Sequence, residues 1–117
     1  MTQDEKDTIK KLETFLKANN IELDYVEDDE NYFDLVGDRI TINRSQSPTD
    51  LIYTILHELG HYFSDFHPNV DTKATLVIEE VLAWDIGRDM SHTLGIDIDD
   101  DKWQELMISC ITEYIEK

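Results

Sequence analysis

A chain of 117 residues can bury one hydrophobic core but has no room for a catalytic domain plus a separate recognition domain, so residues 1–117 are expected to form a single domain. With 27 acidic against 10 basic side chains, a formal net charge of −17, direct binding to nucleic acid is disfavoured, because phosphate contacts need Lys and Arg. No apolar stretch approaches the roughly 20 residues that span a bilayer, Met1 to Lys10 contains no apolar signal segment, and the lone Cys110 rules out an intrachain disulfide and a Cys-rich zinc site; a soluble, cytoplasmic protein is the expectation.

Asp4 to Ala18 carries Ile9, Leu12, Phe15 and Leu16 at helical spacing and stops at Asn19-Asn20, which predicts a first helix. Ile21, Leu23 and Tyr25 alternate with acidic residues, Tyr32 to Val36 forms a second short run, and Gly37-Asp38 leads into Arg39 to Asn43. These predict short antiparallel strands, the last two as a hairpin. Ser47-Pro48-Thr49-Asp50 then opens a helix, with Ser47 as N-cap and Pro48 at the first helical position. It should end near Asp65 to Pro68, and a third helix is expected from about Asp71 to Leu94 with Gly95 at its C-terminal cap. A fourth follows Asp99 to Asp101, whose carboxylates suit a helix N-terminus. Trp103, Leu106, Met107, Cys110, Ile111 and Tyr114 give it a buried stripe, which makes the Cys110 thiol a packing group rather than a nucleophile. Helix, small sheet, then helices is an α+β order. The acidic runs Glu27 to Glu30 and Asp97 to Asp101 read as solvated loops or helix-start carboxylates, and their long-range field suits a basic partner.

The chemistry lies in the second helix, at His57-Glu58-Leu59-Gly60-His61. A helix turns once in about 3.6 residues, so His57 and His61 stack one turn apart and point the same way, with Glu58 rotated by one position. Two neutral imidazoles and one carboxylate are what metal-assisted amide hydrolysis requires. Thr54, Ile55, Leu59, Gly60, Tyr62 and Phe63 make the surrounding block uncharged within a chain that is 32% charged. A core helix with incidental histidines would instead have to find buried partners for all three polar groups.

A catalytic zinc takes three protein ligands and leaves a fourth position open, so a third residue is needed. Downstream candidates are His67, Glu79, Glu80, Asp85, Asp89 and His92. Glu79 and Glu80 stand among Leu76, Val77, Ala83, Trp84 and Ile86, so at least one of these carboxylates should face the apolar interior, where a cation would offset its burial. Periodicity alone does not choose between them. His67 and His92 are further candidates as substrate contacts or oxyanion donors, and Tyr53 and Tyr62 flank the motif as packing residues.

The order of helix, short strands, HExxH helix and a helix bearing glutamate resembles the small single-domain zincins of the ImmA/IrrE type and related phage-encoded metallopeptidases. The resemblance runs from Arg39 to Asn43 through the third helix. In that family the zinc-binding glutamate opens a pattern of Glu, two residues, Ala, then Asn or an aromatic; Glu80-Val81-Leu82-Ala83-Trp84 matches it, whereas Glu79 would put Leu82 at the alanine. Leu82 stands at the family's second glutamate and Trp84 at its usual asparagine. The resemblance implies a minimal zincin of four helices with a small antiparallel sheet, Zn²⁺ held by His57, His61 and Glu80, and Glu58 as the base for the attacking water. It further implies that Arg39 to Asn43 is an edge strand against which a peptide substrate pairs, and that the substrate is an intracellular, regulatory protein such as a basic DNA-binding repressor. The competing expectation is a zincin-like binding module or acidic DNA mimic, with structural or vestigial zinc and no proteolysis.

Overall fold

The chain forms α1 (Gln3–Ala18), β1 (Glu22–Val26), β2 (Tyr32–Asp34), β3 (Arg39–Asn43), α2 (Pro48–Phe63), α3 (Lys73–Thr93) and α4 (Asp100–Glu116). The structure is a computed structural model that describes residues 2–26, 32–34, 38–43, 46–66, 69 and 72–116. Each helix starts where its sequence satisfies the free N–H groups of the first turn. Thr2 and Glu5 form a reciprocal capping box on α1, Ser47 accepts from the Asp50 N–H ahead of Pro48, Thr72 and Thr75 cap α3, and Asp99 Oδ1 accepts from the N–H groups of Asp101 and Lys102. After α3, Gly95 adopts φ +69°, and the Ile96 N–H reaches the Ser91 carbonyl at 2.8 Å, which satisfies a carbonyl of the last turn.

The α+β class is as expected, but the sheet is mixed rather than antiparallel. Its order is β1-β3-β2. The expected hairpin is present, with β2 antiparallel to β3 in the register Phe33↔Ile40, while β1 lies parallel to β3 in the register Leu23↔Ile40. β3 takes the centre because it is the strand buried on both faces: Ile40 and Ile42 are fully covered on one side and Thr41 is 3% exposed on the other. The parallel register also sets Arg39 between the acidic side chains of β1, 3.0 Å from Glu22 and 3.2 Å from Asp24. β3 is therefore not an edge strand. β1 and β2 are the edges, and α2 touches β2 as well as β3.

The core joins Ile9, Leu12 and Leu16 of α1, Ile40 and Ile42 of β3, Leu51, Ile52, Ile55, Leu56 and Leu59 of α2, Trp84 of α3 and Trp103 of α4. Of the stripe expected on α4, only Trp103 is buried; Leu106, Met107 and Cys110 are half-covered against the core, because α4 packs chiefly on α3 at the outside of the molecule. Tyr53 packs edge-on to Trp103 at 5.6 Å, and its hydroxyl accepts from the Asp99 N–H at 2.8 Å, which ties the start of α4 to α2.

The contact that positions the site is between α2 and α3. A Cβ on Gly60 would lie 1.8 Å from the Ala83 carbonyl oxygen, and one on Gly87 would lie 2.6 Å from that of Leu56. The two helices thus touch backbone to backbone at successive turns. The face α3 buries is correspondingly small, made of Ala83, Gly87 and Ser91 beside Glu80 and Trp84. In an exposed helix interior, Gly→Ala gains about 1 kcal/mol from helix propensity. Here the sign should reverse: Gly60→Ala is expected to cost about 3 kcal/mol, at the upper end for overpacking, and Gly87→Ala less. Urea unfolding of the two variants measures this, and a Gly60→Ala midpoint at or above wild type would show that the helices do not meet there.

Candidate metal centre

One helical turn separates His57 from His61, and their rings lie 4.7 Å apart on the α3 side of α2. Glu80 rises from α3 between them. His57 Nε2 is 2.8 Å from Glu80 Oε2 and His61 Nε2 is 3.2 Å from Glu80 Oε1. An ionised carboxylate only accepts, so both imidazoles donate through Nε2–H when no ion is bound. The ligand atoms of His57, His61 and Glu80 all fall within 4.8 Å of one another, the one such group of three among the described residues. Four-coordinate metal at about 2.0–2.2 Å needs donors about 3.4 Å apart, so small side-chain adjustments let an ion replace the two shared protons.

The elements explain why these three side chains converge. Gly60 sits between the histidines and lets α3 approach, which brings Glu80, one turn before Ala83, against His57 and His61. The His57 ring is clamped by Trp84, stacked at 4.1 Å with planes 14° apart. Trp84 in turn meets Trp103 edge-on at 4.8 Å. Trp84 therefore orients a candidate ligand.

Burial and charge divide the two carboxylates. Burial raises Glu80, but hydrogen bonds from His57 and His61 and their charges outweigh it and hold the carboxyl well below the usual range. Glu58, 6% exposed, is pushed upward by burial, reinforced by the charge of Glu80 and opposed by the two histidines. Its Oε1 stands 3.8 Å from His57 Nδ1, beside the centre without joining the three-residue group. Burial depresses His61, yet its hydrogen bond to Glu80 and the charges of Glu80, Glu58 and Glu79 leave it above its ordinary value.

Of the other candidates, Glu79 is half-buried outside the group and acts on His61 only through its charge. Asp85, Asp89 and His92 are exposed on α3, away from it. His67 lies outside the described residues. Tyr53 packs as expected and also anchors α4, while Tyr62 is half-buried against Phe63 at 5.0 Å. Sequence reasoning missed two residues of α4. Cys110 Sγ lies 3.4 Å from Glu80 Oε2, and burial with the Glu80 charge raises the Tyr114 hydroxyl one turn further along α4. Their signal was their position on the Trp103 stripe, since Trp103 packs on Trp84, one turn beyond Glu80.

The pH dependence of the metal-free protein follows from these shifts. Glu80, lowered, stabilises the fold above its ordinary 4.5 and loses that contribution as pH falls. His61, raised, contributes fully below its ordinary 6.5 and loses its contribution as pH rises through its higher folded value. Glu58, raised, favours the fold below 4.5 and opposes it once ionised. In chelator, thermal stability should therefore peak between about pH 4.5 and 6.5 and decline towards pH 8, with a divalent ion removing the decline. A midpoint that climbs steadily to pH 8 in chelator would contradict the His61–Glu80 pairing. Comparison with protein-family models, curated proteins and solved structures finds no match to this chain, and its function is read from the site itself.

Proposed function

We propose that this chain is a zinc-dependent metallopeptidase of the ImmA/IrrE-like zincin type, with His57, His61 and Glu80 as metal ligands and Glu58 as catalytic base. The observation that carries the reading is the meeting of two imidazole Nε2 atoms with the two oxygens of one buried carboxylate, at 2.8 and 3.2 Å. Two nitrogens and one oxygen form a zinc-type donor set that leaves a fourth position open. A zinc ion held there would lower the pKa of a coordinated water towards about 7 and polarise a substrate carbonyl.

The chain's own residues supply the rest. Glu58 is buried beside the ligand pair, and burial raises its carboxyl from the ordinary value towards the pH at which a general base works best. It accepts the proton of the attacking water and returns it to the leaving amine. Trp84 fixes the His57 ring. An extended peptide would add to a free sheet edge, and β2, the edge strand that α2 touches, replaces β3 in that role. The formal charge of −17 favours a basic protein substrate, such as a DNA-binding regulator in the cytoplasm of a bacterial host.

The test separates metal binding from chemistry. Glu58→Gln should take up zinc like wild type while cleavage of a panel of basic proteins falls by about 10²- to 10⁴-fold. Glu80→Ala and His57→Ala should lose the zinc itself. Metal analysis and mass spectrometry of the digests give both readouts. Undiminished cleavage by Glu58→Gln removes Glu58 from its role, and a stoichiometric complex that forms without cleavage and survives chelation would favour the acidic binding module instead.

A further inference from the structure

Cys110 and Tyr114 lie one turn apart on α4, which packs on α3 beside Glu80: the Cys110 sulfur is 3.4 Å from Oε2, and burial with the Glu80 charge raises the Tyr114 hydroxyl. Since the carboxylate is acceptor-only, the Cys110 contact is a donation, S–H to oxygen.

We infer that Cys110 is a positioning residue for the third ligand: by donating to Glu80 from α4 it holds the carboxylate aimed at His57 and His61, with Tyr114, one turn on, as the second group of α4 bearing on that carboxylate, which makes α4 part of the metal centre. This rests on the metal-binding reading above. In the ion-free centre the two imidazoles and the Cys110 thiol donate to Glu80. An ion there would be held by the imidazole nitrogens and a Glu80 oxygen, and the α4 donor would then help to orient the carboxylate. Outer donors of this kind typically tune metal affinity by 10- to 100-fold. A serine at position 110 keeps the donor; an alanine removes it.

The experiment measures zinc affinity of the full chain by competition with a chromogenic chelator for wild type, Cys110→Ser, Cys110→Ala, Tyr114→Phe and the double variant, with metal-free thermal midpoints alongside. Absorption spectra of the cobalt-substituted proteins are recorded in parallel. Cys110→Ala and Tyr114→Phe should each weaken zinc by about 10-fold, the double variant should be weaker than either, and Cys110→Ser should restore wild-type affinity and the wild-type cobalt spectrum. Equal losses in Cys110→Ser and Cys110→Ala would assign the effect to the size of sulfur, not its proton, and overturn the inference, as would wild-type affinity in Cys110→Ala. A sulfur-to-cobalt charge-transfer band in wild type would make Cys110 a ligand and overturn it without recourse to any variant. Wild type that takes up no zinc sinks both this inference and the metallopeptidase reading; zinc uptake without cleavage sinks the peptidase reading alone.

Discussion

Where Gly60 faces the Ala83 carbonyl, two helices come into backbone contact, and each candidate ligand lies within about one turn of that point. His57 and His61 bracket the glycine on α2, and Glu80 precedes Ala83 by three residues on α3. The spacing of side chains along one helix can bring two imidazoles together, but a third ligand must come from another element at a fixed distance. A side chain at position 60 would push α3 outward and take Glu80 with it. The glycine inside the HExxH block therefore does as much for the centre as the histidines that flank it, through packing rather than chemistry.

That approach also sets the electrostatics. Two carboxylates share a small buried region, and a chain with a formal charge of −17 offers little to neutralise them. The conflict resolves by separation of roles. Glu80 collects both imidazole donors and stays ionised, while Glu58, buried with less compensation, has its carboxyl raised above the usual range. Two carboxylates pushed apart in this way by their surroundings can take different parts in one small region. The same imidazoles that stabilise ionised Glu80 by donating protons are the nitrogens a metal would need, so protons and metal ions compete for one set of atoms.

Much of this was legible in the sequence where the signal is local. Ser47-Pro48 fixed the start of α2, the four-residue histidine spacing fixed the face, and Gly95 fixed the end of α3. Strand order was not, because pairing depends on contacts distant in sequence. The hairpin of β2 and β3 could be read from its turn, whereas the parallel pairing of β1 depended on Ile40, Thr41 and Ile42 being buried on both faces and on Arg39 answering Glu22 and Asp24. The choice of Glu80 over Glu79 required the family pattern, although a physical signal was present. At about 100° per residue, Ala83, Gly87, Ser91 and Trp84 define an arc of α3 that contains Glu80 and leaves Glu79 at its margin. A stripe of small residues says which side of a helix another backbone occupies.

α4 shows what such patterning cannot reveal. Its stripe was read as core, yet most of it is only half-covered, because α4 packs chiefly on α3 at the outside of the molecule. Trp103 lies against Trp84, Trp84 lies against His57, and the same helix then presents Cys110 and Tyr114 to Glu80. A hydrophobic pattern records that a face is withdrawn from water without recording what it meets. A thiol and a phenol fit that pattern as well as leucine does, and what distinguishes them is a single proton that each can offer to a buried oxygen. For this reason the outer layer of a metal centre is harder to read from sequence than its ligands: the ligands need a particular atom at a particular spacing, whereas their supporters need only a donor somewhere on a face that already looks like core.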